Sequence, residues 1–233
     1  MGRKPKHPAL SRPALFAEQP ADAGISRGPR ITGTILIDGT WLLKNVLHQY
    51  MAGLRAMYDA CRAHPATRST AYVSTTICGG ADIAPGPYLP FLEAQVPEFE
   101  LVGGSPGGVW LSKGVEHLRG EQERMRRDGV LENKHLFFMI GDFRWDDPHR
   151  FDQAIEAYRT LEAEPGFNGF MILAGSEPNR ELANRISRRR PAVHLDEVKV
   201  DEFFAWTSVV FRQASMSRPG QKVELPKPTW TLD

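Results

Sequence analysis

Side chains that could bind a ligand follow the first strongly apolar stretch of the chain. That stretch covers residues 31–37, and Asp38, Gly39 and Thr40 come directly after it. A continuous run rich in β-branched residues is typical of a buried parallel strand. Ligands of open α/β sheets bind at the edge formed by the carboxyl ends of the strands. The pattern therefore predicts that Asp38 and Thr40 lie at a ligand-binding edge.

Two later segments offer further oxygen ligands. Ser105 lies in the Gly-rich segment 103–108, and Asp142 follows the apolar stretch 134–140. If that stretch pairs with the first strand, both carboxylates flank the point where the strand order reverses. Carboxylates and hydroxyls, completed by water, suit a hard divalent cation such as Mg²⁺. We therefore predict a candidate metal site composed of Asp38, Thr40, Ser105 and Asp142.

Strand and helix patterns alternate through the central part of the chain. Strands are predicted at residues 70–78, 134–140, 169–174 and 192–195, with a short edge strand near 98–102. Amphipathic helices are predicted at residues 42–63, 109–127, 151–164, 178–189 and 201–214. This alternation predicts an α/β fold, a doubly wound, mostly parallel sheet with helices on both faces.

The composition changes at both ends of the predicted domain, which covers residues 31–215. Residues 1–30 are rich in Pro, Ala, Arg and Lys and lack an apolar period, which predicts a basic, disordered arm. Such an arm either keeps the chain in solution or touches an acidic partner. Residues 216–233 contain three prolines and are predicted to be an extended tail.

Bulk properties narrow the classes of function. The formal net charge of the 233 residues is +1, so global electrostatics favours neither nucleic acid nor an acidic partner. We find no apolar run long enough to span a membrane and no apolar core of a signal peptide. Cys61 and Cys78 are interpreted as reduced thiols. We therefore expect a cytoplasmic protein that has no membrane partner.

Three segments have the pattern of a metal-ion-dependent adhesion site. Residues 38–42 read DGTWL against D-x-S-x-S, residues 103–108 read GGSPGG against a Thr-bearing turn, and residues 140–143 read IGDF against T-D-G. With these motifs, residues 31–228 resemble a von Willebrand factor A (vWA) domain. Within that class, residues 201–206 and 217–223 are similar to the F-F-x-W-S and S-x-P-G-x-K-V segments of the bacterial TerY-like, tellurium-resistance type.

The chain departs from the vWA motif at two positions. Leu42 replaces the second Ser and removes one direct ligand, and Asp142 matches its motif only if one residue is inserted. The resemblance therefore implies a degenerate adhesion site that binds Mg²⁺ weakly or not at all. As an alternative without metal, Asp38 and Thr40 cap the first helix.

The resemblance implies a protein-binding adaptor of a bacterial stress-response or defence system rather than an enzyme. Its candidate partners are a PP2C-type phosphatase and a kinase-like protein. The residues expected to contact the partner are Trp41, Trp110, Asp146 and Asp147. Burial in the core is the alternative role for at least one of the two tryptophans.

A metal-dependent nuclease is the competing hypothesis. Nucleases on doubly wound sheets use clustered carboxylates to hold the cation that assists phosphodiester cleavage. The carboxylates available for such a cluster are Asp38, Asp142, Asp146 and Asp147, and the basic arm would touch phosphates. A phosphatase with an Asp nucleophile two residues before Asp38 is excluded, because that position is Leu36.

Overall fold

A single six-stranded sheet forms the centre of the protein. The computed structural model describes residues 29–40, 47–98, 103–195, 199–223 and 225. The strands are β1 (Arg30–Asp38), β2 (Ala71–Cys78), β3 (Leu89–Pro90), β4 (Glu132–Gly141), β5 (Phe167–Leu173) and β6 (Val193–His194). Their order is β3-β2-β1-β4-β5-β6, and every pairing is parallel except that of β3. The predicted α/β fold class is confirmed.

Helices cover both faces of the sheet. They are α1 (Leu47–Ala63), α2 (Pro65–Thr70), α3 (Gly107–Arg127), α4 (Phe151–Glu162), α5 (Arg180–Ile186) and α6 (Val200–Met216). Alternate residues of β1 point to opposite faces, so Ile35 and Ile37 join the core under α1 and α6. Leu36 joins the second core, which lies under α3, α4 and α5.

The described part of the chain has an edge strand that the sequence did not predict. An edge strand was expected near residues 98–102, of which 99–102 lie outside the described residues. The observed edge strand is Leu89–Pro90, antiparallel to β2. Pro90 lacks a backbone N–H and is tolerated at an edge because no further strand there requires the donor that Pro lacks.

Parts of the predicted domain organisation lie outside the described residues. These parts are residues 1–28 of the arm, residues 224 and 226–233 of the tail, and residues 41–46, which include Trp41. The start of the tail is described, and the Asn133 side chain donates a hydrogen bond to the Ser217 carbonyl oxygen at 2.8 Å. Within the described part of the chain, no helix is long and apolar enough to cross a bilayer.

Candidate functional site at the carboxyl edge of the sheet

The two predicted carboxylates come from neighbouring strands. Ile37 of β1 pairs with Ile140 of β4, so Asp38 and Asp142 leave the sheet at the same edge. The chain continues from β1 to β2 on one side, whereas β4 leads to β5 on the other, so the strand order reverses here. Gly141 allows the close approach, because a Cβ at that residue would lie 2.8 Å from the Asp38 Cβ. The predicted adjacency of the two strands is confirmed.

Asp38 is held in a local turn. Its Oδ1 accepts a hydrogen bond from the Thr40 backbone N–H at 2.9 Å, which is the geometry of an Asx turn. The Asp38 Oδ2 and the Thr40 Oγ1 are buried and have no hydrogen-bond partner among the described residues. The helix-cap alternative depends on residues 41–46, which lie outside the described part, so it remains open.

Burial changes the acidity of Asp38. The residue is only 3% exposed, and loss of solvation raises the pKa of its carboxyl group from 3.8 to about 6. The hydrogen bond from the Thr40 N–H and the nearby Thr40 hydroxyl lower this pKa, and the negative charge of Asp142 raises it. Asp38 therefore titrates close to neutral pH.

Asp142 lies in a second tight turn. Its Oδ1 accepts a hydrogen bond from the Arg144 N–H at 2.8 Å. Burial raises the pKa of the Asp142 carboxyl group, while the N–H and the positive charge of Arg144 lower it. Phe143, which lies between Asp142 and Arg144, has a φ of 57°, a left-handed conformation that is unusual for a bulky residue. The buried Phe143 ring keeps this turn in place by stacking on Trp145 at 5.6 Å.

Ser105 is anchored to the loop that follows β4. Its N–H donates to the Asp146 Oδ2 at 2.8 Å, and its carbonyl oxygen accepts from the Asp146 N–H at 3.0 Å. The Ser105 Oγ is buried and has no hydrogen-bond partner. The exposed Asp146 thus positions the turn, and its predicted contact with a partner stays a prediction.

Asp147 is not exposed for the partner contact that the sequence predicted. It is 6% exposed, and its two carboxylate oxygens accept the N–H groups of Gly108 and Val109, both at 3.0 Å. These groups are in the first turn of α3, where Pro106 provides no side-chain cap. Asp147 therefore caps α3 from a distant part of the chain.

Trp110 is likewise not an exposed anchor. It is 1% exposed and its indole N–H donates to the Gly80 carbonyl oxygen at 2.8 Å. Trp110 therefore belongs to the core, as the alternative interpretation allowed. Trp41, the other predicted anchor, lies outside the described residues.

Sequence reasoning missed the aromatic residue at the rim of this edge. Trp145 is partly exposed, and its indole ring covers Gly107 so closely that a Cβ there would lie 2.0 Å from it. The exposed Arg144 is next to it and lies 3.7 Å from the Glu177 carboxylate. An aromatic residue between Asp142 and Asp146 was the available signal, because loops at this edge carry the binding residues of such sheets.

In the described part of the chain, three buried oxygen atoms at this edge have no hydrogen-bond partner. They are the Asp38 Oδ2, the Thr40 Oγ1 and the Ser105 Oγ. Buried polar atoms are rarely left unsatisfied, so such atoms at one edge indicate a site for a cation, water or partner group. Across the described ranges, no three His, Cys, Asp or Glu side chains cluster as possible metal ligands. The four-carboxylate cluster proposed for a nuclease is therefore not formed there, and the residues fit only a weak, hydroxyl-dependent cation site.

Comparison with known proteins supports the fold. No protein-family model and no curated protein matches the chain. A von Willebrand factor type A protein from Catenulispora acidiphila aligns with a TM-score of 0.54 and 13% identity, over 81% of this chain and 43% of that one. The pilus adhesin SpaC from Lactobacillus rhamnosus GG, in its open conformation, aligns with a TM-score of 0.59 and 9% identity, over 80% of this chain and 30% of the adhesin. Proximal thread matrix protein 1 from the mussel byssus aligns with a TM-score of 0.55 and 11% identity, over 86% of this chain and 50% of the matrix protein.

The chain therefore has the fold of a vWA domain, as its sequence motifs predicted. Each of these alignments has less than 25% identity, so the likeness concerns the fold alone. The chain also spans half or less of the length of each of these three proteins.

Proposed function

We propose that this chain is a protein-binding module whose partner contacts the carboxyl edge of the sheet. The observation that carries this proposal is the group of buried, unsatisfied oxygens on Asp38, Thr40 and Ser105, beside the exposed Arg144 and the partly exposed Trp145. A partner surface would supply donors or a cation to the oxygens, and Trp145 and Arg144 would supply rim contacts.

The space next to Asp38 favours a partner surface over a small substrate. The space there is too narrow to admit even a molecule the size of water, and it is lined mostly by apolar side chains, among them Leu36, Met139 and Phe143. Pockets that enclose small-molecule ligands are typically about 300–1,000 Å³. A group that reaches Asp38 would therefore project from a larger molecule that rests on the rim.

A divalent cation is compatible with this role. The residues that would hold it are Asp38, Thr40, Ser105 and Asp142. When bound, a cation of this type offers an open coordination position to a carboxylate of the partner. Without it, the exposed guanidinium of Arg144 would pair with the same carboxylate.

The finer proposal is an adaptor of the TerY-like type in a bacterial cytoplasmic stress-response or defence system. Its candidate partners are a PP2C-type phosphatase and a kinase-like protein. The proposal is supported by the sequence similarity of residues 201–206 and 217–223. The first segment contributes Phe203 and Phe204 to the core, and the second contains a turn in which the Gln221 N–H donates to the Arg218 carbonyl oxygen at 3.0 Å.

Affinity capture from the native host tests the binding role. The baits are the wild-type chain, Asp142→Asn at the site, and Asp59→Asn on the exposed surface of α1. We expect at least one protein to be captured by the wild type and Asp59→Asn and to be depleted about tenfold or more with Asp142→Asn, because a buried charged contact is worth about 1.5–3 kcal/mol. Recovery of the same proteins in equal amounts with all three baits would contradict the proposed surface.

A cleavage assay separates binding from the nuclease hypothesis. The full chain is incubated with single- and double-stranded DNA and RNA in the presence of Mg²⁺ or Mn²⁺. We expect no cleavage, since Asp147 is engaged in capping α3. Metal-dependent cleavage that Asp142→Ala abolishes would replace the binding proposal with an enzymatic one.

A further inference from the structure

A larger cavity lies at the opposite edge of the sheet, where β4 and β5 begin. It has a volume of about 450 Å³ and is closed by the end of α6, by residues 189–190 and by the tail at residues 220–223 and 225. This volume falls in the usual range for small-molecule sites, about 300–1,000 Å³. The cavity does not share residues with the candidate site at the carboxyl edge.

The described lining of this cavity is strongly cationic. Its positively charged side chains are Lys134, Arg189, Arg190 and Lys222, and its carboxylate is Glu132. Glu132 already interacts with His135 at 3.1 Å and with Arg126 at 3.7 Å. None of the four cations forms an ion pair with another described residue. Among the described residues of this lining, positive charges therefore outnumber negative ones.

Lys134 is the most informative of these residues. It is 7% exposed and lies on β4 opposite Ile31, but it makes no hydrogen bond or ion pair within the described ranges. Its ammonium group therefore has no partner in the described part of the chain, and a bound anion would give it a charge-assisted contact. Arg190 is already oriented, because it donates to the Asn168 Oδ1 at 2.9 Å and packs over the Phe170 ring at 4.6 Å.

Asn133 indicates that the ligand also carries a hydrogen-bond donor. Its Nδ2 donates to the Ser217 carbonyl oxygen at 2.8 Å, which fixes the orientation of the amide. Its Oδ1 is buried and has no hydrogen-bond partner in the ranges that the structure describes. A ligand that satisfies this oxygen must carry a donor such as a hydroxyl group.

We propose that this cavity binds a small phosphate monoester that also carries hydroxyl groups, such as a sugar phosphate. A phosphate monoester has a charge of about −1.5 to −2 at neutral pH, which suits this cationic lining better than the single charge of a carboxylate ligand would. Lys134 and Arg190 would contact the phosphate, and the Asn133 Oδ1 would accept a hydroxyl group of the sugar. This site is independent of the function proposed for the carboxyl edge.

Isothermal titration calorimetry on the full chain tests the site with three probes: ribose 5-phosphate, inorganic phosphate and ribose. We expect ribose 5-phosphate to bind most tightly, inorganic phosphate more weakly, and ribose not at all. Lys134→Met should weaken ribose 5-phosphate binding about 10- to 100-fold, because it removes a charge-assisted contact. Arg55→Met, which removes a positive charge from the exposed surface of α1, should leave the affinity unchanged.

Two further measurements exclude loss of folding as the cause of weaker ribose 5-phosphate binding. Met keeps the length of the buried Lys134 stem and removes an unpaired charge, so the melting temperature of Lys134→Met should not fall. Lys222 is exposed, and Lys222→Met should weaken binding about three- to tenfold without affecting the fold. The proposal is wrong if about 10 mM ribose 5-phosphate gives no binding heat, if Lys134→Met and Arg55→Met bind it equally, or if inorganic phosphate binds as tightly as ribose 5-phosphate.

Discussion

Asp38→Asn is expected to stabilise the metal-free protein by about 3 kcal/mol at about pH 7.5 and to have little effect at about pH 4. Burial raises the pKa of the Asp38 carboxyl group from 3.8 to about 6, and a shift of this size corresponds to about 3 kcal/mol. An Asn side chain stays neutral. Its Oδ1 can still accept the hydrogen bond from the Thr40 N–H.

The sign of this stability change follows from the number of protons that the folded and unfolded states bind. In the unfolded chain Asp38 loses its proton near pH 3.8, whereas in the folded protein it keeps the proton until about pH 6. Between these values the folded state binds more protons, so its contribution to stability falls as the pH rises through this window. Above about pH 6 the carboxylate is charged in both states and the loss is complete. Asp38→Asn removes this loss.

Urea unfolding in the presence of EDTA at both pH values measures this effect. The control is Asp59→Asn, an exposed carboxylate that forms a surface ion pair with Arg62. We expect the control to show no comparable gain at about pH 7.5. If Asp38→Asn instead destabilises the protein at about pH 7.5 and not at about pH 4, the negative charge of Asp38 supports the fold and does not strain it.

Asp147→Ala is expected to lower the free energy of unfolding by about 2 kcal/mol, the upper range for loss of a helix cap. Both oxygens of the Asp147 carboxylate accept N–H groups of the first turn of α3. Removal leaves two buried donors without partners and also removes a negative charge from the positive end of the helix dipole.

The neighbouring variant Asp146→Ala provides a matched control for Asp147→Ala. Asp146 is exposed and accepts one N–H group, that of Ser105. Thermal and urea unfolding of both variants should show a clearly smaller loss for Asp146→Ala. Equal losses, or a loss confined to Asp146→Ala, would show that Asp147 does not cap α3.

The sheet and the convergence of its carboxylates could be predicted from the sequence. Continuous apolar stretches ending in Asp38 and in Gly141-Asp142 are what a parallel sheet covered on both faces requires. Because parallel strands end at the same edge, neighbouring strands necessarily bring those two side chains together. The strand pattern was sufficient once the stretch 134–140 was assumed to pair with the first strand.

The roles of Asp147 and Trp110 depended on tertiary contacts. The partners of Asp147 are 38 and 39 residues away in sequence, at Gly108 and Val109. A local reading of the helix start finds Pro106 and no side-chain cap, so nothing nearby indicates a distant one. For Trp110 a signal did exist, because Gly114 and Leu118 follow at four-residue steps on the buried side of α3.

The carboxyl edge is proposed to serve binding at the expense of stability. The most direct test compares the wild type with Asp38→Asn in one buffer at about pH 7.5. For both proteins, the melting temperature and the affinity for the captured partner are measured. We expect Asp38→Asn to melt at a higher temperature and to bind about tenfold or more weakly, because a buried carboxylate that contacts a partner trades stability for affinity. Unchanged affinity, or a melting temperature and affinity that fall together, would contradict this role for Asp38.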